Sequence, residues 1–138
     1  MNLSTVKTLQ QVLIVNGIRA ENRHHFIKFA NISIDLTFDS IKYNRTARSL
    51  KLENRGEIVI DLSFEKLEMS ATTASFFFDK SQFRIIPNEV LEIPFNFYPI
   101  QTGFFCEKWQ LKCDPQFTHG LQIIINLIGS CKRKHSYE

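Results

Sequence analysis

The feature that most constrains the fold of this chain is the strict alternation of apolar and polar side chains over residues 91–97. The apolar side chains of this segment, LEIPFNF, share one parity: Leu91, Ile93, Phe95 and Phe97. Successive side chains of a β-strand point to opposite faces of a sheet, so the segment predicts a strand with one buried face. Because proline has no backbone N–H, this strand should lie at a sheet edge, or be bulged, at Pro94.

A second alternating run follows the turn-like sequence PIQTG, which begins at Pro99 and ends at Gly103. Only Glu107 interrupts the apolar parity of this run, which comprises Phe105, Trp109, Leu111 and Cys113. The two runs therefore predict consecutive strands of one antiparallel sheet that covers a core. We expect the indole of Trp109 to face inward with Phe95, Phe97, Leu50 and Ile60.

Period-two patterns recur from about residue 26 onward. The further candidate strands lie in residues 26–43, 47–54, 58–67, 74–79, 82–86 and 121–130. Seven or eight short strands separated by turn signals, without intervening helices, predict an all-β sandwich. The inward faces of two antiparallel sheets would then form the core.

The N-terminal residues carry a different pattern. Residues 4–16 place apolar side chains at helical spacing, with Ser4 as a candidate N-cap and Gly17 as a candidate end of the helix. We interpret this segment as a short amphipathic helix, although its β-branched residues near the end leave a strand open. A polar connector follows.

The size and composition of the chain fit one domain. The chain has 138 residues, of which 43% are hydrophobic and 13 are Phe. It can therefore fill a core without the help of disulfide bonds or metal ions. We divide it into an N-terminal helix and connector (residues 1–30), the sandwich (residues 31–131) and a basic C-terminal tail (residues 132–138).

Charge, hydropathy and cysteine content argue against several classes of protein. The net charge is only +3, whereas nucleic-acid binders usually concentrate much more positive charge. No stretch approaches the roughly 18 apolar residues of a membrane span. The three cysteines form an odd set without paired spacing, so we expect reduced thiols and a location inside the cell; they are Cys106, Cys113 and Cys131.

No constellation in the sequence predicts catalysis. No glycine-rich phosphate loop or dinucleotide fingerprint is present, and none of the histidines has a carboxylate or cysteine at metal-ligand spacing: His24, His25, His119 and His135. A Cys106–His119 pair could supply a nucleophile and a base, but nothing in the sequence activates Cys106. We therefore expect no enzymatic activity, no metal and no cofactor.

The aromatic triplet Phe76-Phe77-Phe78 is the best candidate for a protein contact. In a strand Phe77 has the parity opposite its two neighbours, so either one ring or two must face away from the core. The segment is short, aromatic and flanked by turn-like stretches, which favours an edge strand with unpaired backbone groups. The competing interpretation is that residues 4–16 pack over this surface and bury it.

Three stretches of the chain resemble the ASH domains, the ciliary and centrosomal relatives of major sperm protein. Residues 36–57 are similar to the opening of these domains, and their L-x-N-x-G element is matched by Leu52, Asn54 and Gly56. Residues 83–113 are similar to the stretch F-x-I-x-P-G-E…P-x-x-x-G-x-F, with Asn88 in place of the usual Gly. Asparagine tolerates positive φ, which suits that turn. The closing strand of the family, I-x-L-x-G, resembles residues 121–131.

This resemblance implies an immunoglobulin-like sandwich that acts in recognition and assembly rather than in catalysis. It implies partners among ciliary, centrosomal or microtubule-associated proteins, and a location at the axoneme of a cilium or flagellum or at the centrosome. The stretch from Phe104 to Gly129 is also similar to the Myc-binding-protein-associated family of axonemal proteins.

Two other functions remain open from the sequence. In the membrane-contact branch of the major sperm protein family, the domain is a receptor for short acidic peptides and needs a basic groove. Lys42, Arg45 and Arg48 are close in sequence, although the branch's own motif is not recognisable. The third possibility is a small hydrolase that uses Cys106.

Overall fold

The computed structural model describes residues 9–21, 31–67, 75–117 and 120–133. All ten elements assigned within these ranges are β-strands, which confirms the predicted all-β class. The strands are β1 (Val12–Val15), β2 (Ile18–Glu21), β3 (Ile32–Ile41), β4 (Thr46–Asn54), β5 (Ile60–Lys66), β6 (Phe76–Phe77), β7 (Gln82–Ile85), β8 (Val90–Phe97), β9 (Gly103–Asp114) and β10 (Ile123–Lys132). The described residues form no helix that could cross a bilayer.

The strands form two five-stranded sheets that pack as a sandwich. Sheet A has the order β2-β1-β4-β8-β6, and sheet B has the order β3-β10-β9-β5-β7. Neighbouring strands are antiparallel, except that β3 and β10 run parallel over ten register pairs. The expectation that the two alternating runs lie in one sheet is wrong, because β8 belongs to sheet A and β9 to sheet B. Both strands bury one apolar face in the same core from opposite sides, and alternation alone cannot distinguish this arrangement from a hairpin.

The core lies between the inner faces of the two sheets and follows the predicted parity. Leu50, Leu52, Ile60, Phe95 and Phe97 are all 0% exposed. Removing a side chain of this size from water contributes roughly 1.5–3 kcal/mol. A slip of one residue would turn each strand's apolar set to solvent, so this burial also fixes the register.

The predicted N-terminal helix is wrong for residues 12–15, which form β1. Strand β1 pairs with β2 and with β4, where Leu13 lies opposite Asn54. The turn between β1 and β2 is Asn16-Gly17, and both residues have positive φ (46° and 82°). Asn-Gly is a preferred sequence for such two-residue hairpin turns, so this turn favours a strand over a helix for residues 12–15.

This hairpin adds residues 12–21 to sheet A, earlier in the chain than the expected start of the sandwich at residue 31. The first part of the predicted helix and the predicted connector lie outside the described residues, as do all four histidines.

The L-x-N-x-G element has a structural role at the turn after β4. The buried amide of Asn54 donates from Nδ2 to the carbonyls of Ile58 (2.8 Å) and Ile85 (3.0 Å). Its Oδ1 accepts a hydrogen bond from the N–H of Gly56 at 2.9 Å. A Cβ on Gly56 would lie 2.6 Å from the backbone nitrogen of Val12, so a side chain here would displace the start of β1.

Two other positions in the resembling stretches also serve the fold. Asn88 has φ = 71°, which confirms that it takes the positive φ expected where it replaces the usual glycine. Its N–H donates to the carbonyl of Asn54 at 2.8 Å. A Cβ on Gly129 would lie 2.6 Å from the ring of Phe97, so this glycine lets a fully buried ring lie directly against β10.

Pro94 explains why β6 is so short. The N–H of Asn54 donates to the carbonyl of Glu89, and the alternation of bonds in an antiparallel pair then directs the backbone of Pro94 away from β4. The ladder between β6 and β8 ends at Phe77↔Asn96, because the next backbone position on that side lacks an N–H. Among the described strands, β8 is therefore outermost at Pro94, in line with the predicted edge position.

Candidate interaction surface

Strand β6 lies at the edge of sheet A, and the three phenylalanines of the triplet that it begins divide between core and solvent. Phe76 is 6% exposed and stacks on Phe97, with 5.0 Å between ring centroids. Phe78 packs against Phe95 and Trp109, with ring centroids 4.9 Å away in each case. The ring of Phe77 points outward and is 49% exposed. The triplet thus presents one ring to solvent and uses the other two as anchors.

The anchor ring of Phe78 rests on Trp109, which is held by a partly buried ion pair. The indole of Trp109 faces inward, as predicted, although it is only half-buried, and its Nε1 donates to the carboxylate of Glu107 at 3.0 Å. The same carboxylate, 6% exposed, lies 3.5 Å from Nζ of Lys66. Glu107 is therefore on the inner face of sheet B despite its charge. Its two partners satisfy it there, which burial of a carboxylate requires.

Phe77 belongs to an uncharged area on the outer face of sheet A. Phe77 lies opposite Asn96 in the register, and Tyr98, on the same parity, is 40% exposed. We call this area the Phe77 surface. The β4–β8 and β6–β8 registers align five of its members, and Tyr98 follows directly after β8: Ala47, Ser49, Phe77, Pro94, Asn96 and Tyr98.

Charged residues begin immediately beyond the Phe77 surface. The next register pair of β4 and β8 is Lys51↔Glu92. The outer face of sheet B carries ion pairs, such as Arg84 with Asp61 at 2.8 Å. The centres of protein interfaces are depleted in charge and enriched in aromatic residues. The Phe77 surface therefore has a composition suited to a protein contact.

The described residues 9–16 do not cover the Phe77 surface. Strand β1 pairs with β4 and β2, and β8 separates β4 from β6. The competing interpretation, that residues 4–16 pack over Phe77, is therefore wrong for residues 9–16, while residues 1–8 lie outside the described residues.

Two features of β9 are not among the sequence predictions. Phe104 is 85% exposed on the outer face of sheet B, and its parity opposite Phe105 was a readable signal. Glu107 was noted only as an interruption of an apolar run. Nothing in the sequence alone indicated that Lys66 and Trp109 would both reach it.

The cysteines are all free thiols in different environments. Cys106 is exposed on the outer face of sheet B, opposite Ile128 of β10. Cys113 is buried, and burial raises its pKa to about 12. His119, the candidate partner of Cys106, lies outside the described residues. Within the described ranges no group of three acidic, histidine or cysteine side chains could hold a metal ion.

Basic residues gather at the end of the sandwich where β3 and β10 finish. Lys42 and Arg45 are exposed in the turn after β3, and Lys132 lies opposite Ile41 with Arg133 following. Nζ of Lys132 lies 3.6 Å from the carboxylate of Asp39. Arg48, further along β4, is also exposed.

Comparison with known proteins identifies relatives over nearly the whole chain. The model of the MYCBP-associated protein family matches residues 2–138. The MYCBP-associated protein of Mus musculus is 27% identical over 126 residues, and that of Homo sapiens is 25% identical over 104 residues. These alignments cover 83% and 70% of this chain but only 13% and 11% of the mouse and human proteins.

A solved structure confirms the fold. An ASH/PapD-like domain of human CEP192 (PapD-like domain 7) superposes with a TM-score of 0.62 at 16% identity, covering 73% of this chain and 82% of that chain. A protein of unknown function from Porphyromonas gingivalis W83 superposes with a TM-score of 0.52 at 11% identity, covering 94% of this chain and 51% of that chain. The predicted immunoglobulin-like sandwich of ASH type is thus confirmed.

Proposed function

Because the chain belongs to the MYCBP-associated protein family, we propose that it is a non-catalytic protein–protein interaction module of a ciliary, flagellar or centrosomal component. The family and the ASH-type fold support protein interaction as the general role. The resemblance to ciliary and centrosomal domains supports the location. The chain spans about an eighth of the length of its curated relatives. The partners of those whole proteins are therefore only candidate partners of this chain.

The observation that carries the proposal is the Phe77 surface. Phe77 is 49% exposed, yet it sits between two rings anchored in the core, so its position is fixed before any partner arrives. Its side chain has only two torsions left to order, so it loses little conformational entropy on binding and can act as a hot spot. The surrounding Ala, Ser, Pro, Asn and Tyr side chains add no charge that binding would have to desolvate.

The proposal predicts that Phe77→Ser weakens partner capture while the fold persists. The change removes an exposed ring, so the unfolding free energy should move by only about 0.5 kcal/mol, whereas a lost hot spot costs about 2 kcal/mol of binding, or roughly thirtyfold in affinity. The measurement is proximity labelling in ciliated cells, followed by affinity measurement on the partners found. MYCBP, the protein after which these relatives are named, is the first candidate to test in purified form.

Phe104→Ser is the matched control, because it removes an equally large and more exposed ring from the other sheet. Equal capture by wild type and Phe77→Ser, or a loss confined to Phe104→Ser, would place the contact elsewhere. Labelling of endoplasmic reticulum proteins alone would contradict the proposed location.

A second candidate function is the binding of short acidic peptides at membrane contacts, as in receptors of the major sperm protein type. The observation that favours it is the basic end formed by Lys42, Arg45, Lys132 and Arg133. Titration with a glutamate-rich peptide tests this function. Salt-sensitive binding that Lys42→Ala and Arg45→Ala weaken together would support it, and binding indifferent to both changes would contradict it.

A further inference from the structure

The edge strands of the two sheets differ in length and in protection. Strand β3 has 10 residues, whereas β2, β6 and β7 have 4, 2 and 4. Natural proteins blunt long edges with proline, lysine or a bulge. Strand β3, ISIDLTFDSI, contains no proline or lysine, and its register with β10 runs without interruption. In this respect it contrasts with β8, where Pro94 faces the open edge.

Alternate residues of β3 direct their backbone groups to the free side of the strand. The N–H of Ile32 donates to the carbonyl of Gln122 at 2.8 Å, so the even-numbered residues bond to β10 and the odd-numbered residues face away. The carbonyl of Asp39 agrees with this, because it accepts from the hydroxyl of Thr46 at 3.5 Å outside the ladder. Among the described residues, none pairs with the free side of Ser33, Asp35 or Thr37.

The side chains of β3 define what could pair there. Ile34 and Leu36 are buried on the inner face, while Asp35 and Asp39 are exposed on the outer face. A strand added beside β3 would place its own alternate residues next to these two sets. Apolar residues suit the inner set, and basic residues opposite Asp35 form the favourable cross-strand charge pair.

A second copy of this chain suits the edge poorly. In two-fold antiparallel pairings centred on Asp35 or Thr37, an acidic residue of one copy lies directly opposite an acidic residue of the other. In a pairing centred on Leu36, the Asp35 side chain of one copy lies diagonally across from the Asp35 side chain of the other copy. Like charges in these positions destabilise a strand pair.

We propose that the free edge of β3, from Ser33 to Thr37, binds an extended segment of another polypeptide in which apolar and basic residues alternate, as an added strand of sheet B. This site lies in the other sheet from the Phe77 surface, so it goes beyond the proposed function and does not depend on it. The backbone bonds would give affinity, and the outward acidic residues would select the basic partner.

The test uses a nine-residue peptide of alternating Val and Lys, labelled for fluorescence anisotropy. We expect saturable binding that is lost when the same residues are arranged in blocks and that is about fivefold weaker when Glu replaces Lys. Thr37→Pro should abolish binding and leave the melting temperature close to that of the wild type, because the N–H it removes faces the free side. Phe77→Ser should leave peptide binding unchanged.

Charge reversal provides the second arm of the test. Asp35→Lys should exchange the preference, so that the Glu peptide binds better than the Lys peptide. Asp114→Lys, on the same outer face but away from β3, is the matched control and should preserve the original preference. Binding of the block peptide, retained binding by a folded Thr37→Pro protein, or an unchanged preference in Asp35→Lys would each overturn the proposal. So would dimerisation of the free chain through β3 in sedimentation experiments. If Thr37→Pro does not fold, the peptide preference of Asp35→Lys is the deciding measurement.

Discussion

At the residue scale, the positions that carry the family resemblance are those that hold the fold together. Asn54 holds the turn after β4 through its hydrogen bonds with Gly56 and Ile58, and ties it to β7 through the carbonyl of Ile85. Gly56 leaves room for the start of β1, and Gly129 leaves room for the ring of Phe97. None of them belongs to the Phe77 surface. The motif therefore identifies the fold, while the candidate contact residues lie outside it.

Asn54→Asp should destabilise the protein in a pH-dependent way. At pH 7 the introduced carboxylate would face the carbonyls of Ile58 and Ile85 without a proton to donate, which should cost about 3 kcal/mol of unfolding free energy. Its pKa in the folded state should therefore lie above the ordinary value of about 3.9. Because the folded pKa is raised, the loss of stability is complete at pH values above it. The loss shrinks as the pH falls toward the pKa of the unfolded state.

Urea denaturation of Asn54→Asp and wild type at pH 7 and near pH 4 measures this effect. Asn44→Asp, in the exposed turn after β3, is the control and should cost little at either pH. A variant within about 0.5 kcal/mol of the wild type at pH 7 would contradict the role assigned to the Asn54 amide.

At the element scale, β6 is a two-residue strand held by rings rather than by its ladder. Phe76 rests on Phe97, and Phe78 rests on Phe95 and Trp109. With so few backbone bonds, the position of β6 depends on the packing beneath it. Trp109, held by Glu107, is thus a positioning residue for the Phe77 surface.

Trp109→Ala should cost about 3 kcal/mol, because it removes a large inward ring and leaves Glu107 with one partner fewer. It should also speed hydrogen exchange at Phe77, whose N–H faces β8, and at Tyr98, whose N–H donates to the carbonyl of Ser75, more than in the rest of sheet A. Phe104→Ala, which removes a ring that is 85% exposed, should change stability by only about 0.5 kcal/mol. A Trp109→Ala protein that melts within a degree or two of the wild type would refute this arrangement.

At the scale of the whole molecule, the thiols report how cooperatively the sandwich opens. Cys106 is exposed, whereas Cys113 and Cys131 are buried, and burial raises the pKa of Cys113 to about 12. At pH 8 an alkylating reagent should label Cys106 directly and Cys113 only through unfolding. For a stability of about 5 kcal/mol, the two rates should differ by roughly a thousandfold or more. Mass spectrometry over time measures both rates, and similar rates would show that β9 opens locally.

The sequence predicts the strands and their faces but not which sheet each strand joins. Parity places Leu50, Ile60 and Phe95 in the core because burial repeats every second residue. The assignment of β8 and β9 to different sheets depends on long-range strand pairing, and the alternation of side chains carries no information about that pairing. The spacing of apolar side chains predicts a helix over residues 12–15, whereas the Asn-Gly turn that follows them indicates the strand that is found.

The candidate contact surface is only partly predictable for the same reason. Parity singled out Phe77 as the ring that differs from its neighbours, and the structure leaves it exposed. The uncharged setting of that ring depends on the register of three strands, β4, β8 and β6. No local pattern in the chain contains that information.

The parallel pairing of β3 with β10 has a mechanical consequence. A pull on the start of β3 against the end of β10 acts along both strands in opposite directions. All ten pairs from Ile32↔Ile123 to Ile41↔Lys132 then carry the load together, whereas a hairpin pulled at its open end breaks one bond at a time. At about 3.3 Å per residue this shear-loaded seam is roughly 30 Å long, so tension applied in this direction meets the longest ladder in the sandwich.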